Sequence, residues 1–369
     1  VRASDYAKIV AAAARNEAAA RLGRPTLPYK LEFIVTFACG SRCRTCNIWS
    51  RYLEDPAARD RELPAERIIA AARSVRSSLR WLSLTGGELT DRPDIVELVD
   101  GLLAAVGDRL ALFQLTTNGI DPDRVAAVFP AIVRRARGIP TYVTMSLDGL
   151  GKTYERVRGV PDGYAKVKRS MALLDELAAR EPHLTTGYQV TLSSLNAHQA
   201  EALFDEASRG HERPIFTIAT NALQLTRGKV DVDVRRAGPE VQEALTRVWR
   251  RYPRRHVSDV PPLLHLGTTA RFFRTGEAPL PCTAGQATLT IDPYGRVLQC
   301  DSRAEALGDL AETGDDLAAL CRSGPFQARL AAVRGCRACW TPCHAYPTLM
   351  HHPARAAALY AAEVARRGR

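Results

Sequence analysis

Apolar and polar positions alternate along this chain in two different periods. Residues 1–22 place Tyr6, Ile9, Val10, Ala13 and Ala14 at helical spacing, and Arg24-Pro25 and Leu27-Pro28 end that run. From residue 31 short apolar runs take over. Those at 31–37, 81–84, 112–116, 142–147, 187–192 and 215–219 predict strands. The stretches between them, 64–77, 95–105, 124–135, 164–179 and 197–208, predict helices. Pro64 suits a first helical turn, Asp91 to Asp94 reads as a cap, and Pro130 is expected to interrupt its helix. Strands alternating with helices imply the α/β class, a parallel sheet with helices outside. Six such units are fewer than the eight of a closed TIM barrel, so the expectation is a partial (β/α)6 barrel.

The pattern changes after residue 228. Pro253, Pro261, Pro262, Pro279 and Pro281 mark an irregular connector with one helix near 240–249. Residues 289–291, the turn Asp292-Pro293-Tyr294-Gly295 and residues 297–298 predict a β-hairpin. Five parts result: an N-terminal helix over 1–30, the partial barrel over 31–230, a connector over 231–280, a small module over 281–345 and a C-terminal helix over 346–369. The module is too small to build much core, so bound metal would supply part of its folding energy.

Cysteine usage narrows the picture further. The chain has 369 residues and nine cysteines. Cys39, Cys43 and Cys46 form one group, and Cys282, Cys300, Cys321, Cys336, Cys339 and Cys343 lie far beyond it. The odd number, the length and the lack of an apolar signal core in the first twenty residues argue against a disulfide framework. Metal binding in a reducing cytoplasm fits better. No apolar run approaches the ~20 residues that span a bilayer. The net charge is +11, which draws acidic partners. The arginines are scattered and not interleaved with aromatics, so neither nucleic acid nor membrane is expected as a partner.

Cys39, Cys43 and Cys46 follow the first predicted strand with the spacing C-x3-C-x2-C. Three thiolates on one loop can hold three irons of a four-iron, four-sulfur cluster and leave the fourth iron open. The next three strand ends carry Gly86-Gly87-Glu88, Thr116-Thr117-Asn118-Gly119 and Ser146-Leu147-Asp148, with Arg158 ten residues further on. Glycines admit close backbone approach, a carboxylate can pair with an ammonium or a diol, and a guanidinium suits a carboxylate.

Taken together, over about residues 31–220, these pieces resemble the radical S-adenosylmethionine (radical SAM) superfamily. The resemblance implies a SAM-binding 4Fe–4S cluster on Cys39, Cys43 and Cys46. It implies that Gly86, Gly87 and Glu88 receive the methionine ammonium and that Asn118 belongs to the same binding region. Ser146 and Asp148 would hold the ribose hydroxyls, and Arg158 the methionine carboxylate. One departure is Thr45, where the family often has an aromatic or aliphatic residue; Ile48 and Trp49 are the substitutes. The series Cys282-x12-Gly295-x4-Cys300 and Cys336-x2-Cys339 resembles the superfamily's auxiliary-cluster domains, the SPASM form and the shortened twitch form. The longer cysteine ladder of the full form is missing, so one auxiliary 4Fe–4S cluster is expected. Cys282 and Cys300 would be joined by two of Cys336, Cys339 and Cys343; a structural zinc is the alternative.

Cys321 reads either as a thiol that donates a hydrogen atom to a substrate radical or as a small buried hydrophobe. His344, His351 and His352 lack a metal spacing and read as surface or packing residues, while Tyr188, Asn221 and Gln224 are candidates for substrate contact. The activity implied is hydrogen abstraction from a small sugar- or cyclitol-like intermediate, ending in oxidation or epimerisation. A maturase of ribosomally made peptides is the alternative, less expected because only 38 residues precede Cys39. A non-catalytic metal or electron-transfer scaffold is the second alternative. An electron donor such as flavodoxin or ferredoxin is the further partner implied.

Overall fold

The computed structural model describes residues 3–211, 214–229, 239–253 and 259–367. One nine-stranded sheet organises the chain. Its strands are β1 (Lys30–Ile34), β2 (Trp81–Thr85), β3 (Leu112–Thr117), β4 (Thr141–Ser146), β5 (Leu184–Leu192), β6 (Ile215–Ile218), β7 (Thr288–Ile291), β8 (Arg296–Leu298) and β9 (Ala306–Asp309). Their order is β6-β5-β4-β3-β2-β1-β7-β8-β9. Neighbours from β1 to β6 are parallel, and the sheet does not close on itself, giving an α/β partial barrel.

Strand geometry sorts the side chains, because successive residues face opposite sides. Leu31 and Phe33, Leu82 and Leu84, Phe113 and Leu115, and Val143 and Met145 all belong to the main core. They pack under Ile68, Leu98, Leu102, Phe129 and Ile132 of the crossover helices Ala65–Ser74, Ile95–Val106 and Pro122–Arg135. The other face of the same strands carries Lys30, Glu32, Ser83, Thr85, Gln114, Thr116 and Tyr142, and these line a cavity. A parallel sheet covered on both faces would be apolar on both. Here the inner face mixes those polar residues with Ile34, Trp81 and Leu112, and it lines the cavity instead of packing under helices.

Three features differ from the sequence expectation. The hairpin β7–β8 is not a free-standing unit: β7 pairs in parallel with β1, aligning Leu289 with Leu31 and Ile291 with Phe33. The connector is largely helical, with Pro239–Arg251 and Val260–Thr275; residues 230–238 and 254–258 of it lie outside the described residues. Pro261 and Pro262 start the second helix rather than break it, because amide hydrogens in a first turn have no helical partner to lose. The helix Pro122–Arg135 also continues through Pro130. Phe129, Ile132 and Val133 around that proline are buried in the core, and this packing outweighs the lost hydrogen bond.

Candidate active site

The chain leaves β1 into the loop that bears Cys39, Cys43 and Cys46. Two neighbouring segments shape that loop. Gly87 N donates to Thr36 O at 2.8 Å and Glu88 N to Ala38 O at 2.7 Å. A Cβ on Gly87 would lie 2.2 Å from Ala38 O, so no other residue fits this crossing. On the outer side, Arg42 N donates to Arg158 O at 2.9 Å and Arg44 N to Val157 O at 2.8 Å.

Glu88 is 4% exposed, and its carboxylate accepts four hydrogen bonds from the protein. Oε1 receives Thr90 N, Thr90 Oγ1 and Thr117 Oγ1, and Oε2 receives Asn118 N at 2.7 Å. Burial pushes this carboxyl up from its ordinary value while those four donors pull it down. Glu88 therefore ties the β2 loop to the β3 loop, a role its motif does not reveal. Asn118 completes the link: its Nδ2 lies 3.6 Å from Cys39 Sγ.

Asp148 follows β4 and is buried. Its Oδ1 accepts Thr191 N at 2.7 Å, and its Oδ2 accepts Arg158 Nη1 at 2.9 Å. Arg158 Nε is a buried donor without a partner among the described residues. An orphaned guanidinium hydrogen beside three cysteines fits an anionic ligand such as an amino-acid carboxylate.

Burial pushes the Cys39 and Cys46 thiols up to about 12, and Cys43 is raised as well. They hold their protons at neutral pH, so a metal must displace them. The donor set fits a cluster: three sulfurs on one loop, Cys43 buried and Cys39 and Cys46 half-buried, with Ile48 N donating to Cys46 Sγ at 3.5 Å.

Four of the late cysteines lie together. Cys282, Cys300, Cys336 and Cys339 line one small cavity of about 120 Å³ together with Arg303. Backbone amides of Ala284, Arg303 and Ala338 point at Cys282, Cys300 and Cys336 at 3.4, 3.4 and 3.5 Å. Four converging sulfurs with amide donors are a cluster-type or zinc-type donor set. Cys343 does not line that cavity; it is on the wall of one of about 540 Å³.

Cys321 is elsewhere. It sits on the helix Leu317–Arg322 inside the main apolar core, and burial pushes its thiol up to about 12. It reaches neither cavity, which withdraws the hydrogen-donor reading and leaves the packing one. His344 and His351 are buried rather than on the surface, and they face carboxylates. His344 Nε2 lies 2.8 Å from Asp301, and His351 Nε2 lies 2.8 Å from Glu17. Folding also brings Cys300, Asp301 and His344 together, with one ligand atom of each within 4.8 Å of the others. Tyr188 packs against His211 in the core and Gln224 is buried, whereas Asn221 lines the four-cysteine cavity.

The segment around Leu223–Thr226 is a connection that sequence reasoning missed. Asn47 N donates to Leu225 O at 2.8 Å, while Leu223 N and Gln224 N donate to Ser302 O and Asp301 O. It thus joins the two cysteine regions by backbone bonds, which carry no residue signature.

The large cavity lies between those regions. Gly86 and Thr85 mark one end, Trp81, Leu112 and Tyr142 the other, and Asp301 and Cys343 its side. Four residue steps along β2 separate Thr85 from Trp81, a distance of about 13 Å. Tyr6 and Ile9 of the helix Ala3–Arg21 and Met350 of the helix Pro342–His351 pack across the far end.

A partial barrel with a three-cysteine loop after its first strand defines the radical SAM class. Residues 33–207, nearly half of the chain, match the profile of the Radical SAM superfamily. Its members use a 4Fe–4S cluster and S-adenosylmethionine. The chain is 31% identical over 206 residues to GTP 3′,8-cyclase of Erythrobacter litoralis (strain HTCC2594), a match covering 55% of this chain and 56% of that protein. The chain thus spans about half the length of this curated relative. Among solved structures, anSMEcpe with bound AdoMet is similar at 14% identity and a TM-score of 0.57, covering 90% of this chain and 99% of that one. SuiB of Streptococcus suis is similar at 15% identity and a TM-score of 0.52, covering 82% and 67%. No helix among the described residues is long and apolar enough to cross a membrane.

Proposed function

We propose that this chain initiates radical chemistry on a small polyhydroxylated substrate, of sugar or cyclitol type, held in the large cavity. The observation that carries this reading is the set of hydrogen-bonding strand residues set among apolar ones on the cavity wall. Ser83, Thr85, Gln114, Thr116 and Thr186 offer hydroxyls and amides, and Trp81 and Tyr142 offer flat apolar surfaces. A cavity of about 540 Å³ accommodates a molecule of this size.

In this reading Cys39, Cys43 and Cys46 hold the SAM-binding cluster, and Cys282, Cys300, Cys336 and Cys339 hold an auxiliary 4Fe–4S cluster. Bound there, the first cluster and S-adenosylmethionine supply a 5′-deoxyadenosyl radical that abstracts hydrogen from carbon. The chain's own residues position and shield. Arg158 Nε offers its free hydrogen to the methionine carboxylate, while Asp148 fixes the guanidinium. Gly86 and Gly87 present backbone, Ser146 and Asp148 face the ribose, and Glu88 and Asn118 hold the loops in register. The cavity reaches from Gly86 to Asp301, next to Cys300, so a substrate there lies between both cysteine sites. The auxiliary cluster would accept one electron from the product radical as a proton leaves it, which gives oxidation; epimerisation would instead need a hydrogen-atom donor other than Cys321.

The curated relative is named for a small-molecule substrate, a nucleotide, which favours this reading. Solved structures of similar fold include anSMEcpe with a peptide and SuiB with its precursor peptide SuiA. A peptide entering the cavity is therefore the second reading.

Anaerobic reconstitution tests the centre of the proposal. The protein should take up about eight irons and form 5′-deoxyadenosine under reducing conditions. Changing Cys39, Cys43 and Cys46 to alanine should leave about four irons and no 5′-deoxyadenosine. Cleavage that persists in the triple variant refutes the reading. Stimulation of 5′-deoxyadenosine formation by aminosugars and cyclitols, set against peptides, then separates the two substrate classes.

A further inference from the structure

We propose that the deep half of the large cavity is an amine subsite, in which the Glu32 carboxylate takes the ammonium group of a polyhydroxylated amine such as an aminosugar or aminocyclitol. The inference rests on the reading that the cavity holds a small polyhydroxylated substrate, and it names the group that singles that substrate out. Glu32 stands in the middle of β1, level with Ser83 of β2, Gln114 of β3 and Tyr142 of β4 along the parallel registers. All four line the cavity. Ile34, two residues further along β1, stands about 7 Å nearer the cysteine loop.

This carboxylate lacks the hydrogen bonds that burial demands. Glu32 is 9% exposed, yet among the described residues no donor forms a hydrogen bond to its oxygens; Lys30 Nζ is an ion-pair partner at 3.5 Å from Oε2. That ammonium is committed elsewhere: it donates to Cys343 O at 3.1 Å and lies 4.5 Å from the centre of the Trp81 ring. A buried carboxylate ordinarily accepts several donors, as Glu88 accepts four. Asp301, the other carboxylate on the cavity wall, has His344 Nε2 at 2.8 Å. A second group on the wall is also unsatisfied. Tyr346 Oη is buried and has no hydrogen-bond partner among the described residues. Tyr346 follows Cys343 by one turn of the helix Pro342–His351, and the bond from Lys30 to Cys343 O ties that helix to β1 beside Glu32.

A carboxylate only accepts hydrogen bonds, so its partner must donate. An ammonium brings three donors and the opposite charge, whereas a hydroxyl brings one donor and no charge. Tyr346 Oη is left for a further polar group of the same molecule. With His211 and His344 neutral, the wall carries two carboxylates, Glu32 and Asp301, and one ammonium, Lys30, so a cationic ligand brings it to balance. A nitrogen held by Glu32 lies toward the deep end, and a carbon other than the one that bears it faces the cysteine loop.

The test uses the reconstituted holoenzyme with bound S-adenosylmethionine and anaerobic titration calorimetry. The probes are two matched pairs, glucosamine against glucose and scyllo-inosamine against scyllo-inositol. In at least one pair the amine should bind about tenfold or more tighter than its hydroxyl counterpart, and N-acetylation of that amine should remove the advantage. In Glu32→Gln the two members should bind alike, with iron content and S-adenosylmethionine affinity as in the parent. Tyr346→Phe should weaken binding of the amine about fivefold without lowering the melting temperature of the ligand-free protein, because the hydroxyl has no bond to lose there. Equal affinity for amine and hydroxyl in both pairs overturns the proposal, as does a preference that survives Glu32→Gln. An N-acetyl derivative that binds as tightly as its amine also overturns it, and this comparison needs no variant, so it decides the matter if Glu32→Gln does not fold. Binding of none of the four probes defeats the polyhydroxylated-substrate reading instead, so the two failures are distinct.

Discussion

Replacing Gly87 by alanine probes the crossing that shapes the cysteine loop. The new methyl would lie 2.2 Å from Ala38 O, 2.7 Å from Phe37 O and 2.8 Å from Ala38 C. All three are backbone atoms, so no side chain can swing aside. Restoring an ordinary 3.4 Å contact from 2.2 Å requires a shift of 3.4 − 2.2, about 1.2 Å, in one of the two loops. That shift stretches the Gly87–Thr36 and Glu88–Ala38 hydrogen bonds, now 2.8 and 2.7 Å. Overpacking of this kind costs about 1–3 kcal/mol, and weakening two backbone bonds adds about 1 kcal/mol. The total of roughly 2–4 kcal/mol lowers the melting temperature by about 5 °C and leaves the chain folded. The cysteine loop bears the displacement, and an error near 1 Å costs on the order of a hundredfold in rate. Reconstituted Gly87→Ala should therefore keep its auxiliary irons, form 5′-deoxyadenosine about a hundredfold more slowly, and melt a few degrees lower. Parent-level 5′-deoxyadenosine formation with an unchanged melting temperature would refute the argument.

Other consequences can be read from the same geometry. Cys339→Ala should lose about four irons while Cys343→Ala retains the full complement, as measured by iron analysis; the reverse result moves the auxiliary site to Cys343. Cys321→Ala should lower stability by about 1–2 kcal/mol in denaturant unfolding and leave S-adenosylmethionine cleavage intact, because the thiol only fills core. In the iron-free protein, Cys39, Cys46 and Cys282 have thiols raised from 9.0 to about 12, so the folded state binds more protons than the unfolded state between those values. That contribution to stability is complete below pH 9 and is lost as pH rises toward 12. The fall should be shallower in iron-free Cys39→Ser, and identical pH profiles would contradict it.

Much of this protein was legible in its residues. Apolar runs of strand length alternating with helical periods dictate a parallel sheet, since each run needs an apolar cover and a connecting helix supplies it. The C-x3-C-x2-C loop and the polar residues at the following strand ends carry their chemistry in their identities, and local spacing suffices to group them. Contacts between distant segments left no such trace. Glu88 looks like a ligand-binding carboxylate in its motif, and nothing in that motif reveals that its bonds to Thr117 and Asn118 also tie two loops together. Cys321 and Cys343 are indistinguishable as letters; one is buried in the core and the other faces the cavity, because helix packing decides which way each points. The hairpin Thr288–Ile291 and Arg296–Leu298 could stand alone by its pattern, but the free edge of β1 captures it. Local sequence thus determined the elements and the donor atoms. Only the tertiary structure decided which donors converge, because convergence depends on long-range packing and backbone pairing that no local spacing encodes.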